Sequence, residues 1–510
     1  MSTQAKKPHL DRGTLIACCL AVAIAQMCIT IPSPINGNIT SAFGSSGSQV
    51  AWVTSAFILP TAILELNFGV VGDMFGRKRL LVIGGIVLAA GELINATAQN
   101  IHALWIGQAV AGVGAAAIFP TTLAVLAAAT PDTKDRAKAL STWALSISLA
   151  SAIGPLQSGL LGTYADWRYA FLPAAVIGLI SAAISFRSVT DSKAPEGRSL
   201  DWPGQVSIAV ALTTLLWAII EGGDRGWSSG PIVGCFIVGA LALAAFVVAE
   251  LRSESPMMNL SLLRIPSFAG AAGVALVGML GFIGTAYCVS IRLGAVMHLD
   301  ALRAGLPFVI LQLIPLLMAP VLSRLLSGVN PRWLLLSGLL PMAAGQFWLS
   351  ALPITTTSLA AFLGPVMLLG IGFIFVVSSL TAAAVNAVPA HLTGMASGAT
   401  SLVREFGQAL GPAVISSVAM GLAGDMLVGK LSGAAAAINA AGGPLAVVNV
   451  PTAGQAAQLA ARDALAHGLS VGTTICGIAS LVGAVIVLVV VHSKADPETT
   501  EERAAEPAFA

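Results

Sequence analysis

Residues 69–79 read Gly-Val-Val-Gly-Asp-Met-Phe-Gly-Arg-Lys-Arg, a short stretch that holds one acid and three bases. Long apolar runs flank it on both sides, at 50–71 and 80–98. A helix needs about 20 apolar residues to cross the roughly 30 Å hydrocarbon core of a bilayer. Each flanking run is long enough, so the sequence predicts two membrane-spanning helices joined by a tight charged turn.

The whole chain has the composition of a membrane protein. Of its 510 residues, 56% are hydrophobic and only 9% are charged, and the mean hydropathy is +0.88. A soluble protein carries about 25% charged residues, so this chain has too few to cover a soluble molecule of its size. In a bilayer, apolar surface is free and charge is costly. We therefore predict an all-α polytopic membrane protein.

Fourteen runs are long and apolar enough to span a bilayer, with Pro, Gly, Ser or charge in the breaks between them. They are 13–32, 50–71, 80–98, 102–127, 139–162, 169–187, 204–221, 231–250, 267–291, 304–325, 332–352, 358–384, 399–422 and 469–491. Cytoplasmic loops carry the excess of Lys and Arg. With the N-terminus inside, nineteen of the 25 Lys and Arg residues fall on the cytoplasmic side. Both termini are therefore expected in the cytoplasm, which requires an even number of spans.

The remaining segments are read from their composition. The sequence predicts a cytoplasmic N-terminus at 1–12, a polar cytoplasmic loop at 188–203 and an acidic cytoplasmic tail at 492–510. An external loop at 423–468 is rich in Ala and Gly. Two interpretations of that loop stay open, a hairpin or helix over the outer face and a mobile linker.

The absence of several patterns excludes other classes of protein. The net charge of +2 gives no sign of nucleic-acid binding. The six cysteines lie in apolar stretches without a C-x-x-C pair, which argues against a disulfide or metal site. The sequence has no G-x-x-x-x-G-K-[ST] phosphate loop and no HExxH. We expect no enzyme activity, no catalytic residue, no metal and no bound cofactor.

The residue types in the charged turn suit a close contact between helix ends. Gly69 allows a neighbouring helix to approach closely, and Gly76 permits a sharp turn. Asp73 lies at a helix end, where its carboxylate can accept from a facing helix N-terminus or from Arg. The basic residues Arg77, Lys78 and Arg79 hold the turn on the cytoplasmic side.

Together these residues resemble the loop signature of the major facilitator superfamily, and the resemblance implies that they form a gating motif. Span five adds Gly154-Pro155-Leu-Gln-Ser-Gly159, which is similar to the antiporter motif of that superfamily, with serine in place of one glycine. Gly and Pro bend and thin a membrane helix so that it can pack and rock. Further stretches, at 167–171, 200–204 and 404–411, resemble its fourteen-helix drug:proton antiporter subgroup.

The resemblance implies a fold and a function. The fold is the major facilitator fold, with six-helix halves at 13–187 and 267–491 and two inserted helices at 204–250. The implied function is secondary active, proton-coupled efflux of small amphipathic or drug-like compounds by alternating access. The implied partners are a small-molecule substrate and the lipid bilayer of a bacterial plasma membrane, with a proton gradient as the driving force and a monomer as the default.

Two departures from the subgroup bear on proton coupling. The subgroup usually carries an Asp in the first span, where this chain has Gln26 between Ala25 and Met27. The family usually has an Arg in span four, where this chain has Gln108. One acid and one base are missing together, which leaves neither partner unpaired and places the usual coupling site in question.

The chain carries other acids near mid-membrane depth. Glu65 precedes Asp73 by eight residues, which is about 12 Å along a helix. Glu92 lies in the next span. An intramembrane carboxylate is a functional hypothesis by default because its burial is costly, so both are candidates for proton coupling. The alternatives are a protonated Glu65 in a packed interface and a Glu92 that clasps Asn95 or Gln108.

Polar side chains within the apolar spans are candidates for lining a substrate cavity. They are Gln26, Gln108, Gln157 and Gln312. The alternative for each is an interhelical hydrogen bond.

Two other functions stay open. A uniporter or importer of a specific solute has the same sequence features. A non-transporting sensor or scaffold on the same fold is favoured by the missing acid and base, whereas the intact loop signature argues against it.

Overall fold

The structure is a computed structural model, and it describes residues 11–130, 133–193, 200–253, 256–388, 392–431, 443–449 and 454–491. Within these ranges the chain is helical and contains no strand, as the sequence predicts. The helices are α1 Arg12–Thr30, α2 Pro32–Phe43, α3 Gly47–Phe75, α4 Arg77–Ala96, α5 Ile101–Ala129, α6 Thr133–Tyr164, α7 Leu172–Ser188, α8 Trp202–Arg225, α9 Gly230–Arg252, α10 Pro266–Ile291, α11 Ala301–Gly328, α12 Pro331–Ala351, α13 Ala360–Asn386, α14 Thr393–Lys430, α15 Pro444–Asn449 and α16 Gln455–Val490. Short single turns lie at Trp167–Phe171, Leu260–Arg264 and Arg292–Val296.

Fourteen of the described helices are long and apolar enough to cross a membrane, which confirms the predicted number of spans. Their ends often coincide with capping residues in the sequence. Ser46 accepts from the backbone N–H of Gln49, and the Gln49 side chain accepts from the backbone N–H of Ser46, so both form a capping box at the start of α3. Asn100 caps α5 and Asp201 caps α8 without a reciprocal bond. In each case the side-chain oxygen accepts a hydrogen bond from a backbone N–H in the first turn of the helix.

Helix α2 is an element that the sequence interpretation missed. The first predicted span ends at residue 32, but the chain turns at Ile31 and forms a second helix from Pro32 to Phe43. Proline suits the first turn of a helix because its missing N–H would have no partner there. Helix α2 ends at Gly44, whose φ of 60° is easily adopted only by glycine.

The external loop predicted at 423–468 is shorter in the structure. Helix α14 continues to Lys430 and α16 begins at Gln455, so helix covers both ends of the predicted loop. The segment from 455 is rich in Ala, the residue with the highest helix propensity. Lys430 Nζ lies 3.7 Å from Asp463 Oδ2 and connects the two helical ends. Residues 432–442 and 450–453 lie outside the described part of the chain.

The helices pack in two groups with matching patterns of contact. In the first group α3 and α4 pack on α5, and in the second α11 and α12 pack on α13. The groups meet along two seams, α3 against α14 and α6 against α11. The inserted helix α8 packs on α9 and lies against both α3 and α14. This arrangement agrees with two halves related by repeated structure and one inserted pair.

We call the end of the bundle that holds Asp73 and Arg77 the motif end, and the opposite end the distal end. At the distal end the two halves are in close contact through small residues. A Cβ at Gly37 would lie 2.9 Å from the Cα of Gly294 in the other half, closer than real Cβ atoms approach. Asn36 Nδ2 donates to Ser290 Oγ at 2.9 Å beside this point. The structure is therefore closed at the distal end.

Substitution of Gly37 by valine should hold the distal end apart, because its side chain has no room against Gly294. The buried Ser290, replaced by cysteine in a variant whose six native cysteines are removed, would then react several-fold faster with a membrane-impermeant maleimide. Gly421→Val is the matched control, since a Cβ at that helical glycine meets no atom within 4 Å. Equal labelling rates in both variants would contradict close packing at the distal end.

Candidate functional site

The charged turn at the motif end is held by one ion pair. Arg77 donates from Nε and Nη2 to Asp73 Oδ1, at 2.9 and 2.7 Å. Its Nη1 donates to the carbonyl oxygen of Ala124 on α5 at 3.2 Å. The Asp73 side chain is largely buried, so its charge has this arginine as a partner. The pair connects the end of α3, the start of α4 and the end of α5.

The segment after α7 closes over the same turn. The backbone N–H of Arg77 donates to the carbonyl of Ser192 at 3.1 Å, and that of Lys78 donates to Asp191 Oδ1 at 3.2 Å. Gly76 has a φ of 120°, and a Cβ there would lie 2.7 Å from Asp191 Oδ2. Asp191 therefore belongs to the turn although it lies far along the chain. The sequence interpretation placed it only in a polar loop.

The other residues of the loop signature lie around this pair. Lys78 extends over the ring of Phe186, with Nζ 5.3 Å from its centroid. Arg79 is exposed. A Cβ at Gly69 would meet Pro120 of α5 at 3.7 Å, an ordinary contact distance. The arrangement joins three helices of one half at their ends, and its role as a gate stays a prediction.

The Gly-Pro stretch of α6 lies against both halves. A Cβ at Gly154 would overlap Thr30 Oγ1 of α1 in the same half. A Cβ at Gly159 would lie 2.9 Å from the carbonyl oxygen of Ala301, at the start of α11 in the other half. Pro155 contributes its carbonyl oxygen to the same seam, 3.0 Å from the Cβ position of Gly305. This stretch thus lies where α6 moves against α11 in any rocking of the halves.

Glu65 lies on the other seam, between α3 and α14. The charges of Arg404 and Glu405, both on α14, act on its carboxylate. Arg404 Nη2 donates to Glu405 Oε1 at 3.0 Å, so these two residues form a local ion pair. Next to Glu65, Leu66 Cδ2 lies 2.8 Å from the Cβ position of Gly398 on α14. One base thus lies near two acids that belong to different halves.

Glu92 lies in a different environment, inside the first half. It is completely buried, and neither carboxylate oxygen has a hydrogen-bond partner among the described residues. Its neighbours are Cys28 of α1 and Asn95 on its own helix. The side-chain oxygen and nitrogen of Asn95 also have no partner in the described part of the chain. Asn95 therefore lies beside Glu92, as the clasp that the sequence allows requires, without a hydrogen bond of good geometry between them.

The four glutamines predicted to line a cavity are not brought together by any contact among the described residues. Gln108 is completely buried and its amide has no partner there. Gln157 Nε2 donates to the carbonyl oxygen of Ala170 at 3.0 Å. Gln26 and Gln312 are half-buried. Their role in binding substrate stays a prediction.

A cavity of about 800 Å³ lies elsewhere, between α3, α5 and the inserted helix α8 in the distal part of the bundle. It is lined by Trp52, Trp105 and Trp217, with Glu221 and Asp224 at one side. Trp52 belongs to α3 and Trp105 to α5, whereas Trp217, Glu221 and Asp224 all lie on α8. The cavity thus joins three helices that are distant in the sequence.

Two seams, a charged turn at one end and an inserted helix pair together define a polytopic transporter built from two six-helix halves. A family model described as Major Facilitator Superfamily matches residues 18–412, and the chain belongs to that superfamily. It is therefore a membrane transporter rather than an enzyme.

The chain is similar to several curated proteins along most of its length. It is 29% identical over 405 residues to the multidrug resistance protein Stp of Mycobacterium tuberculosis, covering 79% of this chain and 75% of that protein. It is 27% identical over 507 residues to the tetracenomycin C resistance and export protein of Streptomyces glaucescens, covering 95% and 93%. Among solved structures, a bacterial homologue of the human lysosomal transporter Spinster matches with a TM-score of 0.64 at 17% identity, over 95% of this chain and 98% of that one.

Gly76 should tolerate alanine less well than another glycine of similar backbone conformation. Gly76 and Gly226 have φ of 120° and 86°, so both alanine variants bear a backbone cost of about 1–3 kcal/mol. Only Gly76→Ala also forces a side chain against Asp191. We expect a larger fall in the midpoint of thermal aggregation, measured in detergent, for Gly76→Ala than for Gly226→Ala.

Removal of the opposing carboxylate supplies the control for this comparison. In the double variant Gly76→Ala/Asp191→Ala the steric conflict is gone, and the midpoint should rise toward that of Gly226→Ala. A double variant that is no more stable than Gly76→Ala would show that Asp191 does not limit the space at this turn.

Proposed function

We propose that this protein exports small amphipathic or drug-like compounds from the cell in exchange for protons, by alternating access. Both curated relatives compared above carry names that describe drug resistance or export. The observation that carries the proton-coupled part is the cluster of Glu65, Arg404 and Glu405 on the seam between the halves.

The charge of this cluster favours one bound proton. Two ionised carboxylates and one guanidinium carry one excess negative charge, which is costly in a membrane interior. A proton on either carboxylate makes the cluster neutral. Arg404 already donates to Glu405 at 3.0 Å, so Glu65 is the carboxylate that takes up and releases the proton in this proposal.

Protonation of Glu65 acts on the contact between the two halves. When Glu65 is ionised, it attracts Arg404 and draws α3 toward α14. When it is protonated, Arg404 interacts with Glu405 alone and that attraction across the seam is lost. A proton therefore changes the free energy of the contact that must open and close during transport, which is what coupling requires.

The departures from the usual coupling site fit this assignment. The first span has Gln26 and no acid in the region where the subgroup usually carries an Asp. Span four has Gln108 where the family usually has an Arg. Glu92 remains the second candidate for proton transfer because it is a completely buried acid. It contacts only helices of its own half, so its protonation has no direct effect on either seam.

The position of the protein in the cell belongs to the same proposal. The excess of Lys and Arg supports a motif end that faces the cytoplasm, with both termini inside. With that orientation, a structure closed at the distal end is closed to the outside. We further propose that it functions as a monomer in a bacterial plasma membrane, with a proton gradient and no cofactor or nucleic acid.

Replacement of Glu65 by glutamine tests the coupling. In inside-out membrane vesicles, an imposed pH gradient should drive ethidium uptake by the parent protein but not by Glu65→Gln, since glutamine cannot exchange a proton. Exchange of ethidium at equal concentrations without a gradient should persist, because glutamine resembles the protonated acid. Retained pH-driven uptake in Glu65→Gln would exclude Glu65 as the coupling residue.

Two further variants make the result specific. Asp463→Asn removes an exposed carboxylate at the distal end, 3.7 Å from Lys430, and should leave uptake unchanged. Glu92→Gln separates the two candidates, and a loss of pH-driven uptake confined to that variant would move the coupling to Glu92. Ethidium flux in the parent protein that does not respond to pH would favour a uniporter.

A further inference from the structure

The distal cavity exists because of the inserted helices. Its floor is α3, with Leu59 and Pro60 below Trp52, and its two walls are α5 and the inserted helix α8. The volume of about 800 Å³ is large enough for a drug-sized molecule. No residue of the Glu65 cluster lines it. It is therefore a site separate from the one that carries the proton in our proposal.

The aromatic faces in this cavity are fixed in place. Trp52 Nε1 donates to Glu221 Oε1 at 3.2 Å, and Trp105 Nε1 donates to the carbonyl oxygen of Gln49 at 3.0 Å. The two rings lie 6.1 Å apart with an angle of 47° between their planes. A ligand would therefore meet rings whose orientation is already set, which lowers the entropy cost of binding.

The charged groups at the distal side of the cavity have an excess of acid. Glu221 and Asp224 face a single arginine, Arg225, whose Nε lies 2.8 Å from Glu221 Oε2. Asp224 accepts hydrogen bonds from the neutral hydroxyl groups of Ser46 and Ser48 at 3.2 and 2.5 Å, and the charges of Glu221 and Arg225 also act on it. This balance favours a cation and disfavours an anionic group such as a lipid phosphate.

The chain already places a cation on one of these rings. The guanidinium carbon of Arg225 lies 5.1 Å from the centroid of the Trp217 ring, within the range of a cation–π interaction. The Arg225 side chain is 55% exposed, so it can leave this position without opening a packed core. Trp217 lines the cavity as well. The ring therefore offers a cation site that a ligand can occupy in place of the arginine.

We propose that this cavity binds an organic monocation with an apolar body. The cationic centre replaces the Arg225 guanidinium over Trp217, beside Glu221 and Asp224. The apolar body extends toward Leu59 and Pro60 on α3. This binding does not depend on proton coupling, and it gives the inserted helices a function of their own.

Direct binding of tetraphenylphosphonium to the purified full-length protein tests the proposal, by equilibrium dialysis in detergent. Trp217→Ala and Asp224→Asn should each weaken binding, Trp217→Ala by about three- to thirtyfold as expected for loss of a cation–π contact. Trp333→Ala is the matched control. Trp333 is exposed and has Arg332 5.7 Å above its ring, but it lies on α12, outside the cavity.

Arg225→Gln gives a result of opposite sign. It removes the competing cation and increases the excess of acid, so tetraphenylphosphonium should bind several-fold more tightly. A variant that folds poorly cannot bind tetraphenylphosphonium more tightly. Tighter binding in Arg225→Gln therefore supports the interpretation that the weaker binding of Trp217→Ala and Asp224→Asn reflects lost contacts and not misfolding. Unchanged or weaker binding in Arg225→Gln would overturn the displacement of the arginine.

The remaining outcomes separate the cavity from other sites and other ligands. If Trp217→Ala and Asp224→Asn bind tetraphenylphosphonium as Trp333→Ala does, the cation does not bind in this cavity. Triphenylphosphine oxide is a neutral compound of similar shape, and it should bind weakly and respond little to Asp224→Asn. If it binds as tightly and with the same losses, the cavity takes neutral amphiphiles or lipid, and the proposal is wrong. Binding of tetraphenylphosphonium to Glu65→Gln should match the parent protein, so the outcome does not depend on the proton-coupling proposal.

Discussion

A net charge enclosed by hydrocarbon is costly, and this constraint orders most of the polar residues in the protein. Asp73 is balanced by Arg77 at 2.7 Å, where it connects three helices of one half. The second ion pair of this kind, Arg404 with Glu405, lies beside Glu65 on the seam between the halves. There the charges do not balance, and in the proposed exchange of protons this is the place where the balance changes.

The contacts between the halves are of two kinds, and the difference matters for movement. At the distal end, Gly37 and Gly294 bring backbone against backbone, a contact that depends on shape and that a methyl group would block. At the α3–α14 seam, Glu65 and Arg404 interact through charge, a contact that a proton can change. Packing of small residues gives close association in lipid without a hydrophobic driving force. In the proposed mechanism, the charged contact then decides which of two packed arrangements is preferred.

The number of spans and the class of fold follow from the sequence because hydropathy and run length are local properties that a bilayer reads directly. The sequence interpretation missed helix α2 because the segment Pro32–Phe43 is too short and too polar to be recognised as a membrane span. Helix over 455–468 was missed although its alanines favour it. In the candidate site, Glu65 can be predicted from the sequence because it is an acid within an apolar run. Its proximity to Arg404 and the contact of Asp191 with Gly76 cannot be predicted in this way, because they join distant parts of the chain and leave no periodic pattern.

The hydrogen bonds of α8 join this inserted helix to the first half. They lie at both ends of α8, where Gln205 Nε2 donates to the carbonyl oxygen of Ile63 at 2.7 Å and Ser48 donates to Asp224. Against α14 the contact at Gly223 and Ser417 is one of small atoms, with no hydrogen bond between them among the described residues. Helix α8 thus has its hydrogen bonds with the first half, although it also packs closely on α14 of the second. If the halves rock and α8 follows its hydrogen bonds, the two moving bodies are unequal in size, and a molecule held between α3 and α8 would pass through the cycle without its walls coming apart.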